Sequence, residues 1–407
     1  MAAPGTTLPA RFDAADPVVV DNPYPTYAAL REAGPLCRMG PASFGVTRHA
    51  DVAALLRDPR LGSEFPEAYH RMSAGDGPAA AFFHRIILYR DPPDHTRLRR
   101  LMSRAFSPGL VRGLRDHIRD LVDELLDPAA ASGRLDAVDD LAFPLPVLVI
   151  CELMGIPRAD RSEVRPHALN LSKAFAAMVP EADRGDADRS VVWLRDYLTG
   201  LLAERRGEPG RDLLSLLLTA REGDERLTDE EIVDNAVFSF FAGFETTANL
   251  LAGGCAALLD HPGELARLRA APELIPAAVE EFLRYDAPIQ GTARMVLQPV
   301  EVGGRTVRPG RVLVLLLGSA NRDERAFADP DRLDIGRDPN PHVSFGGGVH
   351  HCMGAALARV EAEVAFRRLL ERFPTIEAAG PATRRTGTTF RAHESVPMRV
   401  VSDREAR

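Results

Sequence analysis

The chain has 407 residues, 45% of them hydrophobic and 27% charged, with a formal net charge of -8. That length can bury a large core, the composition is that of a globular protein rather than a disordered or fibrous one, and the negative balance argues against nucleic acid as the main partner. No run approaches the ~18 apolar residues of a membrane span, Met1 to Thr7 lacks the basic and apolar blocks of a signal peptide, and four scattered cysteines (Cys37, Cys151, Cys255 and Cys352) suit a reduced, cytoplasmic setting better than a disulfide framework.

In chain order, a tail over residues 1–20 leads into a short helix over 22–33, with Pro23 and Pro25 near its start, and a second over 49–57, stopped before Pro59. Residues 61–91 contain Gly62, Pro66, Gly75, Gly77 and Pro78 and read as one long irregular stretch. The same stretch carries Phe82, Phe83, Ile86 and Ile87, which a linker does not need. It is either a lid over a pocket or an ordinary packed surface loop. A helix opens after Pro92 and Pro93 and sets His95 and Arg99 on one face, where they either bind a carboxylate or face solvent. Helical periodicity continues over 108–127, around 141–154, and over 166–178, 187–206 and 212–221.

Thr228 and Glu231 form a capping box ahead of a long apolar helix over 232–260, closed by His261-Pro262. A helix apolar nearly all round crosses a core. At its centre, Ala242 and Gly243 are expected to open space beside Glu245, Thr246 and Thr247, an acid and two hydroxyls that point to a pocket for a small ligand. A helix over 277–285 carries Glu281 and Arg284 as an i,i+3 pair. Then the pattern turns to strands: a hairpin across Gly303-Gly304, a buried strand over 312–317, and a β-like end over 386–401.

Between these lies Phe345-Gly346-Gly347-Gly348-Val349-His350-His351-Cys352-Met353-Gly354, a glycine-rich loop that delivers one cysteine to the start of a helix marked by Leu357, Val360, Val364, Phe366 and Leu369. N–H groups at a helix start favour the thiolate, and a thiolate is a metal ligand. A lone cysteine is more often a small buried hydrophobe. Phe, Gly, Cys and Gly at the first, fourth, eighth and tenth places are far more restrictive.

That loop closely resembles the haem-binding loop of cytochromes P-450, and similarity in motif order runs from about residue 22 to residue 401. The resemblance implies the cytochrome P-450 fold: mainly α with a smaller β region, in a single large domain over residues 1–407. It implies haem b as cofactor, with Cys352 as the iron ligand and Phe345, Gly346, Gly354 and Ala242 against the macrocycle. His95, Arg99, Arg294 and His350 match the holders of its propionates. Glu281, Arg284 and Arg332 look like the family's structural network behind the haem. Glu245 and Thr246 resemble its catalytic acid–alcohol pair, which delivers protons during oxygen activation.

The implied activity is monooxygenation of a small organic substrate, by hydroxylation or epoxidation, in the tailoring of a specialised metabolite. Electrons would come from a separate ferredoxin and its NAD(P)H-dependent reductase, docking near Arg100, Arg104 and Arg359. By position, Phe82, Phe83, Ile86, Ile87, Phe238, Phe241, Gln290, Thr292, Thr389 and Phe390 are candidates for the substrate pocket. The resemblance also implies a cytoplasmic monomer with neither nucleic acid nor membrane as partner. His351 is either an exposed residue of the redox-partner face or a group that tunes the sulfur. A peroxide-driven haem enzyme and a non-enzymatic haem-binding relative are the alternatives, and the acid–alcohol pair counts against both.

Overall fold

The computed structural model describes residues 10–105, 108–175, 179–385 and 390–402. Around the helix Asp229–Asp260 pack the helices Pro144–Met154, Glu181–Gly207, Ile275–Tyr285 and Ala355–Arg372. The central helix starts where its capping box places it: Thr228 Oγ1 accepts from the Glu231 N–H at 3.2 Å, and the Glu231 carboxylate accepts from the Thr228 N–H at 2.9 Å. Its residues are buried on every side, from Ile232 and Val233 to Ala257 and Leu258, so burial of this one helix organises the main hydrophobic core.

The β region is smaller. Its five-stranded sheet has the order Leu36–Arg38, Ser43–Val46, Val312–Leu315, Thr292–Val296 and Leu61–Gly62. Ser43–Val46 and Val312–Leu315 run parallel, and the other pairs run antiparallel. The register places Leu313 opposite Arg294. Val46, Leu313 and Leu315 bury one face in a second core cluster. The hairpin Val300–Val302 to Arg305–Val307 turns at Gly303 and Gly304, both at positive φ. Near the C-terminus, Pro397–Val401 pairs with both Thr375–Ala378 and Arg134–Asp136.

Several expectations are corrected. Residues 61–91 are not one irregular stretch: they hold the helices Glu67–Ala74 and Pro78–Phe83 and a 3-10 turn Ile87–Tyr89. Short helices such as these gain little from propensity and form because packing holds them, which periodicity over six to eight residues does not reveal. The N-terminal tail is shorter than expected, since residues 10–20 already pack: Arg38 donates its N–H to the Ala10 carbonyl at 2.7 Å, and Phe12 and Val19 are buried. The expected strand at 312–317 ends at Leu315, where a short helix, Leu317–Ala320, begins. Thr386 to Thr389, the start of the expected β-like end, lie outside the described residues.

Candidate active site

The loop that presents Cys352 is held closed by the Cys352 N–H, which donates to the Phe345 carbonyl at 2.9 Å, and by a 3-10 turn at Gly348–His350. Gly348 has φ 64°, and a Cβ there would lie 2.5 Å from the Leu56 carbonyl oxygen. A side chain is excluded both by conformation and by space. The helix begins at Ala355, so Cys352 stands just before it. Of the four cysteines only Cys352 is exposed; Cys37, Cys151 and Cys255 are buried, and burial pushes their thiols up.

The surrounding wall still dehydrates the Cys352 thiol and raises its pKa, against backbone hydrogen bonds from Gly354 and Ala355 and the charges of Arg99 and Arg359. The helix-start donors are therefore present as expected, but they do not by themselves outweigh dehydration. A thiolate at this position would be stabilised by a cationic metal.

Beside the loop, two guanidinium groups and two imidazoles converge from three elements. His95 and Arg99 come from the helix Asp94–Ala105, Arg294 from the strand Thr292–Val296, and His350 from the loop itself. The His95 and His350 rings stand 4.1 Å apart. Burial, reinforced by each other's charge and by Arg294 and Arg99, pushes the His350 imidazole down to about 3. Burial also lowers His95, Arg99 and Arg294. Among the described residues none of the four forms an ion pair with a carboxylate, and His95 Nδ1 is buried without a partner. Asp91, whose charge acts on Arg294 and His95, accepts from the Ser63 N–H at 2.7 Å instead. Such a cluster is costly on its own and suits a ligand that carries two carboxylates. With the thiol and the glycine loop, it fits the haem that the motifs imply.

On the central helix, Thr246 Oγ1 donates back to the Ala242 carbonyl at 3.0 Å. Gly243 does not open space: a Cβ there would sit 2.9 Å from Ile150 Cδ1, so the helix Pro144–Met154 already fills that side. Glu245 is buried and has partners that no spacing rule revealed. Ser172 Oγ donates to Glu245 Oε2 at 2.7 Å, Asn249 Nδ2 approaches Oε1 at 3.4 Å, and Arg385 Nη2 forms an ion pair with Oε1. Only Asn249, four residues on, could have been anticipated.

The candidate pocket residues fall into two groups. Phe83, Phe238, Phe241 and Phe390 converge around Phe175, which the sequence did not single out. Its ring stacks on Phe241 at 3.9 Å and meets Phe83 at 5.0 Å and Phe238 at 6.1 Å, while Phe241 meets Phe390 at 5.8 Å. Phe82, Ile86 and Ile87 are buried in the same core. Thr292 instead accepts from Arg294 Nη1 at 2.9 Å and belongs with that cluster. Gln290 donates its amide to the Ala287 carbonyl at 2.7 Å and abuts Gly318. Thr389 lies outside the described residues.

The expected network behind the loop is partly corrected. Glu281 and Arg284 are fully buried and paired at 2.7 and 2.8 Å. The second arginine is Arg337, whose Nε lies 3.1 Å from Glu281 Oε2. Arg332 contributes only its backbone carbonyl, to Arg284 and Arg337, and its side chain is exposed. Neighbouring Glu280 was missed: it pairs with Arg359 Nε at 2.6 Å and His342 Nε2 at 3.0 Å. Arg359 in turn covers the Phe345 ring at 4.5 Å. Arg359 is thus held against the loop, and Arg100 is paired with Glu222 at 2.6 Å and with Glu225. His351 is exposed, next to exposed Val349.

A model of the cytochrome P450 family matches residues 39–381. Cytochrome P450 107B1 of Saccharopolyspora erythraea is 41% identical over 387 residues, covering 92% of this chain and 94% of its own. Nocardicin C N-oxygenase of Nocardia uniformis subsp. tsuyamanensis is 40% identical, over 94% of this chain and 96% of its own. The crystal structure of CalO2 superposes with a TM-score of 0.91 at 36% identity, over 97% of this chain and 99% of its own.

Proposed function

This chain belongs to the cytochrome P450 family and is a monooxygenase that uses haem b, and from that premise we propose that it inserts one atom of dioxygen into a small, largely apolar substrate by hydroxylation or epoxidation. The observation that carries this reading is the exposed Cys352 thiol beside the His95, Arg99, Arg294 and His350 cluster, in which no group pairs with a carboxylate among the described residues. Cys352 would hold the iron, and His95, Arg99, Arg294 and His350 the two carboxylates of the cofactor. Bound there, haem supplies oxygen activation, favoured by electron donation from a thiolate.

The protein's own part is positional and protonic. Thr246 Oγ1, resting on the Ala242 carbonyl, would hold a proton for oxygen activation. Glu245 Oε2 draws on the Ser172 hydroxyl, and Arg385, about a third exposed, links that carboxylate toward solvent. The rings around Phe175 give the substrate an apolar wall.

Electrons would come from a ferredoxin and its NAD(P)H-dependent reductase, meeting the face around exposed His351 and Val349. The name of the nocardicin relative supports a role in tailoring a specialised metabolite. We place the protein in the cytoplasm as a single-domain monomer. No described helix is long and apolar enough to cross a membrane.

The test is the absorption spectrum of the reduced protein with carbon monoxide, against Cys352→Ala. A strongly red-shifted Soret band, lost in the variant, is expected; absence of bound haem would overturn the reading. Turnover with peroxide but none with dioxygen and reductase would favour a peroxide-driven enzyme instead.

A further inference from the structure

We propose that Asp234 is a latch that holds the segment 73–87 closed over the central helix, and that its two arginine contacts set how fast a bulky ligand reaches the cofactor. The proposal rests on the haem site described above, because it concerns access to that site.

Asp234 is fully buried near the start of the central helix. Its Oδ2 accepts from Arg85 Nε at 2.6 Å, and Arg85 directly follows the lid helix and His84. Its Oδ1 lies 2.6 Å from Arg195 Nε, on the helix Glu181–Gly207, in an ion contact without hydrogen-bond alignment. One carboxylate therefore joins three elements. The next residue adds to the tie: Asn235 Oδ1 accepts from the Ile87 N–H at 2.8 Å, and its amide is oriented by the Glu231 carbonyl at 2.8 Å. At the other end, Asp188 Oδ1 accepts from the Ala79 N–H at 2.8 Å, and the Ser73 carbonyl accepts from the Val179 N–H at 2.8 Å. Asp188 and Arg195 are seven residues apart on one helix, hence on one face.

Two features make this a latch rather than a static core pair. The lid's own helix, Pro78–Phe83, has six residues, too short to hold its shape alone, so the ties to neighbours hold it. Both arginines are about a third exposed, and a cleft of about 230 Å³ lined by Arg85, Arg90, Arg97 and Asp234 opens beside Arg85. Water can therefore take up the guanidinium groups as the lid lifts. Beneath the latch, Phe83 and the ring group around Phe175 connect the lid to Phe241, one turn before Glu245. Lifting residues 73–87 separates Phe83 from Phe175 and opens a route along that wall.

The test is stopped-flow binding of 4-phenylimidazole to the haem-loaded protein, with carbon monoxide as a small-ligand control, in wild type, Asp234→Asn, Arg85→Gln and Arg195→Gln. Breaking the latch is expected to speed both association and dissociation of 4-phenylimidazole by about tenfold or more, with its equilibrium constant little changed and carbon monoxide rates unchanged. Arg85→Gln, whose side chain is partly solvated, carries the test if the buried Asp234→Asn change impairs folding. Unchanged 4-phenylimidazole rates in folded variants would overturn the latch. So would equal acceleration of carbon monoxide, which would indicate general loosening. A wild type that binds no haem fails in the spectrum before any rate is measured, and that failure belongs to the underlying reading rather than to the latch.

Discussion

Replacing Arg337 and Arg332 separately by alanine distinguishes the network seen in the structure from the one the motif order implies. Glu281 is fully buried and accepts from Arg284 Nε and Nη2, the Asp334 N–H, Asn340 Nδ2 and Arg337 Nε, at 2.7 to 3.3 Å. Glu281→Gln leaves the fully buried Arg284 without its counter-charge, a change that costs about 3–5 kcal/mol. Arg337→Ala leaves the Glu281–Arg284 pair intact. It removes one ion pair and three bonds to the carbonyls of Ala328, Asp329 and Arg332, for about 1–3 kcal/mol. Arg332→Ala removes an exposed side chain while keeping the backbone carbonyl that Arg284 uses, and stays within about 0.5 kcal/mol of wild type. Urea unfolding of the haem-loaded protein, followed by far-UV circular dichroism and by the Soret band, gives the three values. A cost for Arg332→Ala equal to that of Arg337→Ala would refute the assignment of Arg337 as the second arginine.

Three further outcomes are expected. Burial would raise Glu280, but its hydrogen bonds to Arg359 and His342 pull it from 4.5 down to about 2, so its contribution to stability is full above pH 4.5 and is lost as pH falls toward 2. Glu280→Gln should therefore lose less stability than wild type between pH 5 and pH 3 in urea melts, and parallel losses would refute the pairing. Glu361 is buried on the cysteine helix with Oε2 unpartnered, and burial raises its pKa well above 4.5. It holds a proton in the folded state that the unfolded chain releases, so it lowers stability as pH rises above 4.5. The advantage of Glu361→Gln over wild type should grow from pH 5 to pH 8, and a constant difference would count against a neutral buried acid. Gly243→Ala should cost about 1–3 kcal/mol by driving a methyl into Ile150, with much of that recovered in the double variant with Ile150→Ala; additive costs would show that the two sites do not touch.

Much of this protein was legible from local chemistry. The capping box of Thr228 and Glu231, the all-round apolar pattern after it, and the Gly303-Gly304 turn act between residues a few positions apart, so spacing alone exposes them. The cysteine loop is legible for the same reason, because its own backbone path puts Gly346 and Gly348 at positive φ. The lid helices were not, since six to eight residues carry too little periodicity, and their form depends on partners such as Asp188 and Asn235 more than a hundred residues away.

The sequence by itself singled out the residues proposed to bear the chemistry: Cys352, the cluster His95, Arg99, Arg294 and His350, and the pair Glu245 and Thr246. Tertiary structure alone decided which groups face one another. It put Arg337 rather than Arg332 on Glu281, Arg385 and Ser172 on Glu245, Ile150 in the space beside Gly243, and Arg85 with Arg195 on Asp234. The physical reason is that a charge or a gap in a helix states a need without an address. Any arginine, hydroxyl or methyl group can meet that need, and only the packing of distant elements selects which one does.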